Sequence, residues 1–155
     1  MDLQRVFDVL RAFEKENVRY VLIGGVALNL HGLIRATQDL DFLLSPDEEN
    51  IERVKAALRS VFRDPEIERI SATDLAGEYP TVRYGPPEDP FVIDLISRLG
   101  EAFLYEDIES EERIVEGVRV RLATPRALYR MKKDTVRPID HADAYALKRR
   151  FGLED

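Results

Sequence analysis

Asp39 and Asp41 stand two residues apart in Asp39-Leu40-Asp41-Phe42-Leu43-Leu44, and Asp94 interrupts the apolar run Val92-Ile93-Asp94-Leu95-Ile96. On a strand, side chains at i and i+2 share a face. Asp39 and Asp41 therefore point together, while Leu40, Phe42 and Leu44 point the other way, into a core. Asp is depleted in strands. An ionised carboxylate there is costly without a partner, or it takes up a proton. A divalent cation with oxygen ligands is one compensation, and Mg²⁺ commonly binds through one or two carboxylates plus substrate phosphates. Three carboxylates would serve two metal ions if strand 91–96 lies beside strand 39–44. Taken singly, each aspartate reads equally well as a turn or rim residue, or, for Asp94, as the partner of an arginine.

Gly24-Gly25 follows the apolar run Tyr20-Val21-Leu22-Ile23 and precedes a segment of helical character. Glycine lets the backbone turn sharply and approach a ligand closely. Free N–H groups at a helix start attract anions. This is a phosphate-binding arrangement in outline, or simply a tight turn. It is not a Walker A loop, because no Gly-Lys-Ser/Thr follows, and Gly-x-Gly-x-x-Gly is absent. The interval Val26 to Gln38 is long enough for one short helix and a return to the carboxylate strand.

The elements that must position these residues follow from periodicity. Leu3, Val6, Phe7, Leu10 and Phe13 have helical spacing. Tyr20–Ile23 reads as a buried strand, residues 26–33 as a helix and residues 39–44 as a strand. Ser45-Pro46-Asp47-Glu48 reads as a helix start with Ser45 as N-cap. The helix after it carries Ile51, Val54, Leu58, Val61 and Phe62 on one face. Residues 64–90 have little pattern, apart from a strand at Thr81–Tyr84 and a turn at Gly85-Pro86-Pro87. Strands follow at 91–96 and 118–122, then helices at about 125–133 and 139–151. Interleaved helices and strands imply an α/β or α+β fold around a mixed sheet. A single domain over 1–155 is expected, with a core of about 1–122 and a helical C-terminal part of about 124–151.

The 155 residues include no cysteine, which excludes disulfides, zinc fingers, iron–sulfur clusters and thiol catalysis. No signal peptide or membrane-spanning run is visible, and a cytoplasmic location is expected. The net charge of −7 is uneven. Residues 1–112 carry 12 basic and 24 acidic side chains, and residues 113–150 carry 11 basic and 4 acidic. The acidic part argues against coating nucleic acid by general electrostatics. The basic part could still attract an anion, although Lys148, Arg149 and Arg150 also suit a helix C-terminus. Asp140 and Asp143 are spaced like an N-cap and its N3 partner. His31 and His141 are lone histidines with no expected catalytic role.

Ile23-Gly24-Gly25-Val26-Ala27, Arg35-Ala36-Thr37-Gln38-Asp39-Leu40-Asp41-Phe42 and Val92-Ile93-Asp94-Leu95, in that order, resemble the DNA polymerase β-type nucleotidyltransferase superfamily. The Arg-x-Thr-x-Asp-x-Asp form is most similar to the small AbiEii/MenT-like nucleotidyltransferases. The stretch from Tyr129 to Asp143 resembles a basic-then-acidic C-terminal motif of that group. The resemblance implies a nucleotidyltransferase-like mixed sheet flanked by helices, with C-terminal helices. It implies an Mg²⁺-dependent enzyme, with two ions possible, that moves a nucleoside monophosphate from an NTP to a hydroxyl and releases pyrophosphate. By the resemblance, Gly24 and Gly25 would cradle the β/γ-phosphates. Asp39 and Asp41 would hold Mg²⁺. Asp94 would hold a second ion and activate the attacking hydroxyl. Lys132 or Lys133 would neutralise the triphosphate, assisted by Arg35. RNA, for example a tRNA end, or a protein would be the acceptor, with a toxin–antitoxin partner in view and no membrane. Two alternatives stand beside this: a non-catalytic nucleotide-binding or toxin–antitoxin partner module of the same fold, and a small-molecule (antibiotic) nucleotidyltransferase.

Overall fold

The apolar runs assemble into a mixed six-stranded sheet because each presents a face that only another element can cover. The computed structural model describes residues 2–78, 80–100 and 103–155. In chain order the elements are α1 (Leu3–Lys15), β1 (Tyr20–Ile23), α2 (Gly24–Leu30), β2 (Asp39–Leu44), α3 (Glu48–Val61), a 3₁₀ turn (Pro65–Arg69), α4 (Ala72–Ala76), β3 (Thr81–Tyr84) and β4 (Val92–Ile96). There follow β5 (Arg98–Leu99), β6 (Phe103–Leu104), a second 3₁₀ turn (Tyr105–Asp107), β7 (Ser110–Val115), β8 (Val118–Ala123), α5 (Pro125–Lys132) and α6 (Pro138–Phe151).

The strand order is β3-β4-β2-β1-β8-β7. β1 runs antiparallel to β2, and β2 runs parallel to β4. The register of the β2–β4 pair sets Asp39 opposite Val92 and Asp41 opposite Asp94. Leu40, Phe42 and Leu44 are fully buried. Phe42 meets Phe13 of α1 and Tyr20 of β1, at ring-centroid separations of 4.5 and 5.3 Å. Such tilted and edge-on aromatic packing fixes α1 against the sheet. Leu43, on the aspartate face, is also fully buried. That face is therefore open to chemistry only at its Asp39–Asp41 end.

Two local expectations are corrected. The N-cap of α3 is Asp47, whose carboxylate accepts from Asn50 N at 2.9 Å. Ser45 instead donates its hydroxyl to Asp47 Oδ2 at 2.7 Å, because β2 runs on to Leu44 and the helix begins later. The helix after β1 starts at Gly24, two residues before Val26, and ends at Leu30. Strand β7 has no counterpart in the sequence reading. Its residues Ser110-Glu111-Glu112-Arg113 carry no apolar alternation, and pairing with β8 alone makes them a strand.

No helix among the described residues is long and apolar enough to cross a membrane.

Candidate active site

Asp39, Asp41 and Asp94 converge, each offering a carboxylate oxygen within 4.8 Å of the others. Strand geometry explains the first two, and the β2–β4 register supplies the third. Asp94 is 7% exposed, while Asp39 and Asp41 are half-buried. Partial burial pushes the Asp41 carboxyl up to about 7, reinforced by its closeness to Asp94 and by the negative charges of Asp94 and Asp39. The charge of Lys132 opposes this. Like charges held this close cannot all ionise cheaply. The donor set is all oxygen, which suits a hard divalent cation such as Mg²⁺.

Gly24 lies against this cluster with φ +73°. A Cβ there would stand 2.1 Å from Asp41 Oδ2. Both the left-handed backbone and the close approach require glycine. Gly25 has an ordinary φ, but a Cβ there would lie 2.8 Å from Thr37 Cβ. The loop carrying Thr37 is tied down locally. Asn29 Oδ1 accepts from Arg35 N at 3.0 Å, and Thr37 Oγ1 accepts from Asp39 N at 3.3 Å. The turn after β1 and the entry to β2 thus brace each other.

The C-terminal helices contribute a buried cation. Lys132 Nζ donates to Asp140 Oδ1 at 3.2 Å and to Asp143 Oδ2 at 3.0 Å. All three residues are buried. Burial alone would raise the Asp140 carboxyl, yet hydrogen bonds from Thr135 and Lys132, with the charges of Lys132 and Arg137, hold it below the usual carboxylate range. Asp140 and Asp143 therefore do not act as cap and N3. α6 starts behind Arg137, with Pro138 in its first turn and no side-chain cap. Arg35 reaches Asp143 Oδ2 with Nη1 at 3.5 Å. Its Nε is buried without a hydrogen-bond partner among the described residues.

The structure thus brings together Gly24, Asp39, Asp41 and Asp94, packs Gly25 against Thr37, and joins Arg35 to Lys132 through Asp143. It does not place Lys133 with them. That side chain is half-buried, with Nζ over the Tyr129 ring at 5.8 Å. His31 is buried, its Nε2 bonded to Ala123 O at 2.8 Å, so it secures α2 to β8. Sequence spacing does not single out Arg83. Its guanidinium pairs with Asp94, and only the β3–β4 register, Arg83 opposite Asp94, reveals this.

The family model described as nucleotidyl transferase AbiEii toxin, Type IV TA system, matches residues 8–138. No curated protein matches the sequence. Among solved structures, the solution structure of the antibiotic-resistance factor ANT(2'')-Ia superposes with a TM-score of 0.57 at 16% identity, over 97% of this chain and 83% of that one. The crystal structure of ANT(2'')-Ia in complex with adenylyl-2''-tobramycin gives 0.57 at 16%, over 98% and 91%. An antigenic nucleotidyltransferase-like protein from Paracoccidioides brasiliensis gives 0.54 at 13%, over 94% and 75%. At these identities the likeness is one of fold.

Proposed function

This chain belongs to the AbiEii nucleotidyltransferase family, and from that premise we propose that it transfers a nucleoside monophosphate from an NTP to a hydroxyl of RNA, such as a tRNA end, or of a protein, in a toxin–antitoxin setting. The observation that supports the reading best is the carboxylate cluster of Asp39, Asp41 and Asp94 beside Gly24. We read residues 1–155 as one domain doing this work.

In this reading Asp39, Asp41 and Asp94 hold divalent cation, Mg²⁺ by their oxygen donors. Bound there, the cation neutralises the triphosphate and the charge that develops during transfer. The rest falls to the chain itself. The turn at Gly24-Gly25, free of side chains, lets the phosphates approach the backbone closely. Asp94, on the strand facing Asp41, takes the proton of the attacking hydroxyl. The hydroxyl oxygen bonds the α-phosphorus, the bond to the β-phosphate bridging oxygen breaks, and pyrophosphate leaves. Lys132 and Arg35, joined through Asp143, offer N–H donors to the departing pyrophosphate. Buried and held by two carboxylates, Lys132 costs little reorganisation at the moment of transfer.

A small cationic acceptor is the second reading. The excess of acidic residues over 1–112 favours it. One label-transfer assay separates the two. Protein, Mg²⁺ and each α-labelled NTP are mixed with total RNA, with cell protein and with an aminoglycoside panel, beside an Asp39→Asn/Asp41→Asn double variant. Label on RNA or protein, absent in the variant, is expected. Label on the small molecules alone would move the acceptor to the second reading. Nucleotide binding with no transfer to any acceptor would leave a binding module.

A further inference from the structure

Both oxygens of Asp94 are engaged by one guanidinium. Arg83 Nε donates to Oδ1 at 3.0 Å and Nη2 to Oδ2 at 3.2 Å. The antiparallel β3–β4 register sets the two residues directly opposite each other, so they share a face. β3 is an edge strand. The Arg83 side chain is 65% exposed, against 9% for Asp94. Among the described residues Arg83 makes no other side-chain hydrogen bond. Lys132 and Arg83, two of the cations around the site, differ in character. Lys132 is buried and bonded twice. Arg83 is bonded to a single residue, Asp94, and is otherwise largely exposed.

We propose that Arg83 is a displaceable counter-ion of the metal site, which neutralises Asp94 in the cation-free protein, yields at least one Asp94 oxygen to an entering divalent cation, and then turns its guanidinium to the anionic phosphates of the nucleotide. The inference rests on the metal-dependent transfer proposed above. Only the arginine end of this pair faces water, and a single charge on one carboxylate is outcompeted by a divalent ion bound by three. A guanidinium fork fits phosphate as well as carboxylate, so the released group has a second partner of matching geometry. Metal and nucleotide would then reinforce each other's binding through this one side chain, in both directions.

The test is Mn²⁺ binding to the full chain, followed by the electron paramagnetic resonance signal of free Mn²⁺, with and without α,β-methylene-ATP. Wild type is compared with Arg83→Gln and Arg83→Lys, each checked for folding by circular dichroism. Arg83→Gln is expected to bind Mn²⁺ alone about two- to five-fold more tightly, since a competing charge is gone. The analogue should strengthen Mn²⁺ binding less in Arg83→Gln than in wild type. Arg83→Lys, which keeps the charge without the fork, should fall between. Unchanged or weaker Mn²⁺ binding in Arg83→Gln overturns the proposal and leaves Arg83 as a residue that merely orients Asp94. Asp41→Asn in the wild-type background is the separate control. If it leaves Mn²⁺ binding intact, the metal reading itself fails and the proposal with it.

Discussion

Asp41 stands directly over Gly24, so that a single methyl group on the glycine would meet Oδ2 at 2.1 Å. The turn and the carboxylate are therefore one structural unit. Gly24→Ala should displace Asp41 and also force an L-residue to φ +73°, at a cost of about 1–3 kcal/mol. The expected result is a lowered melting temperature together with loss of divalent-cation binding. A variant that melts and binds as wild type would show the turn to be independent of the site.

Gly25 depends on Thr37 in the same way, because a Cβ added to it would lie 2.8 Å from Thr37 Cβ. Gly25→Ser should be destabilising alone and less so in a Thr37→Gly background. Thr37→Ala is not expected to help, because its Cβ stays in place. A double-mutant cycle by urea denaturation should return a coupling of about 0.5–3 kcal/mol, the range for residues in contact. Simple additivity would show that the loop moves aside freely.

Asp41→Asn should trade stability against activity. Changing a group that only orients a metal ligand typically costs 10–100-fold, so altering Asp41, a metal ligand in the function proposed above, should cost at least about 100-fold in transfer rate. The cation-free protein should nevertheless melt higher. The folded-state carboxyl is raised from 3.8 to about 7, so the folded chain holds a proton that the unfolded chain gives up more readily. Stability falls as pH rises across that interval and stays reduced above it. Asparagine carries no such cost. In EDTA at pH 8 the variant should melt above wild type, and the gap should close towards pH 4. A gap that widens on acidification would refute the crowded-carboxylate picture.

Asp140 should behave with the opposite sign. Its folded carboxyl lies below its unfolded value, so its contribution is present above about pH 4 and is lost as pH falls through the depressed value. Asp140→Asn should cost about 1.5–3 kcal/mol at pH 7, as expected for hydrogen bonds to a charged group. That difference should shrink below pH 4, read by thermal melts across pH. A constant difference would place its cause in packing rather than in the Lys132 pair.

Much of the framework is legible from sequence because it rests on local periodicity. The i, i+2 aspartates and the apolar residues between them announce β2, and the family motif follows from their order along the chain. What is not legible depends on register. Nothing near Thr81–Tyr84 announces that Arg83 faces Asp94, since the pair is made by two strands whose mutual alignment is a property of the whole sheet. Strand β7 is hidden for a related reason, because its polar residues gain strand character only from β8. Asp140 and Asp143 show a different failure. Their spacing fits a helix cap, and only the packing of α5 on α6 turns them towards Lys132.

The parallel pairing of β2 with β4 also governs when the site can exist. Parallel neighbours cannot be joined by a tight hairpin, and here α3, α4 and β3 intervene along the chain. Pairings of long sequence separation close late, because the loop entropy must be met before any contact rewards it. A chain emerging from the ribosome carries Gly24, Asp39 and Asp41 well before Asp94 arrives and β4 docks. The cluster is thus absent from every nascent or partly folded form that lacks β4, and the chemistry proposed for it waits on the sheet's own completion.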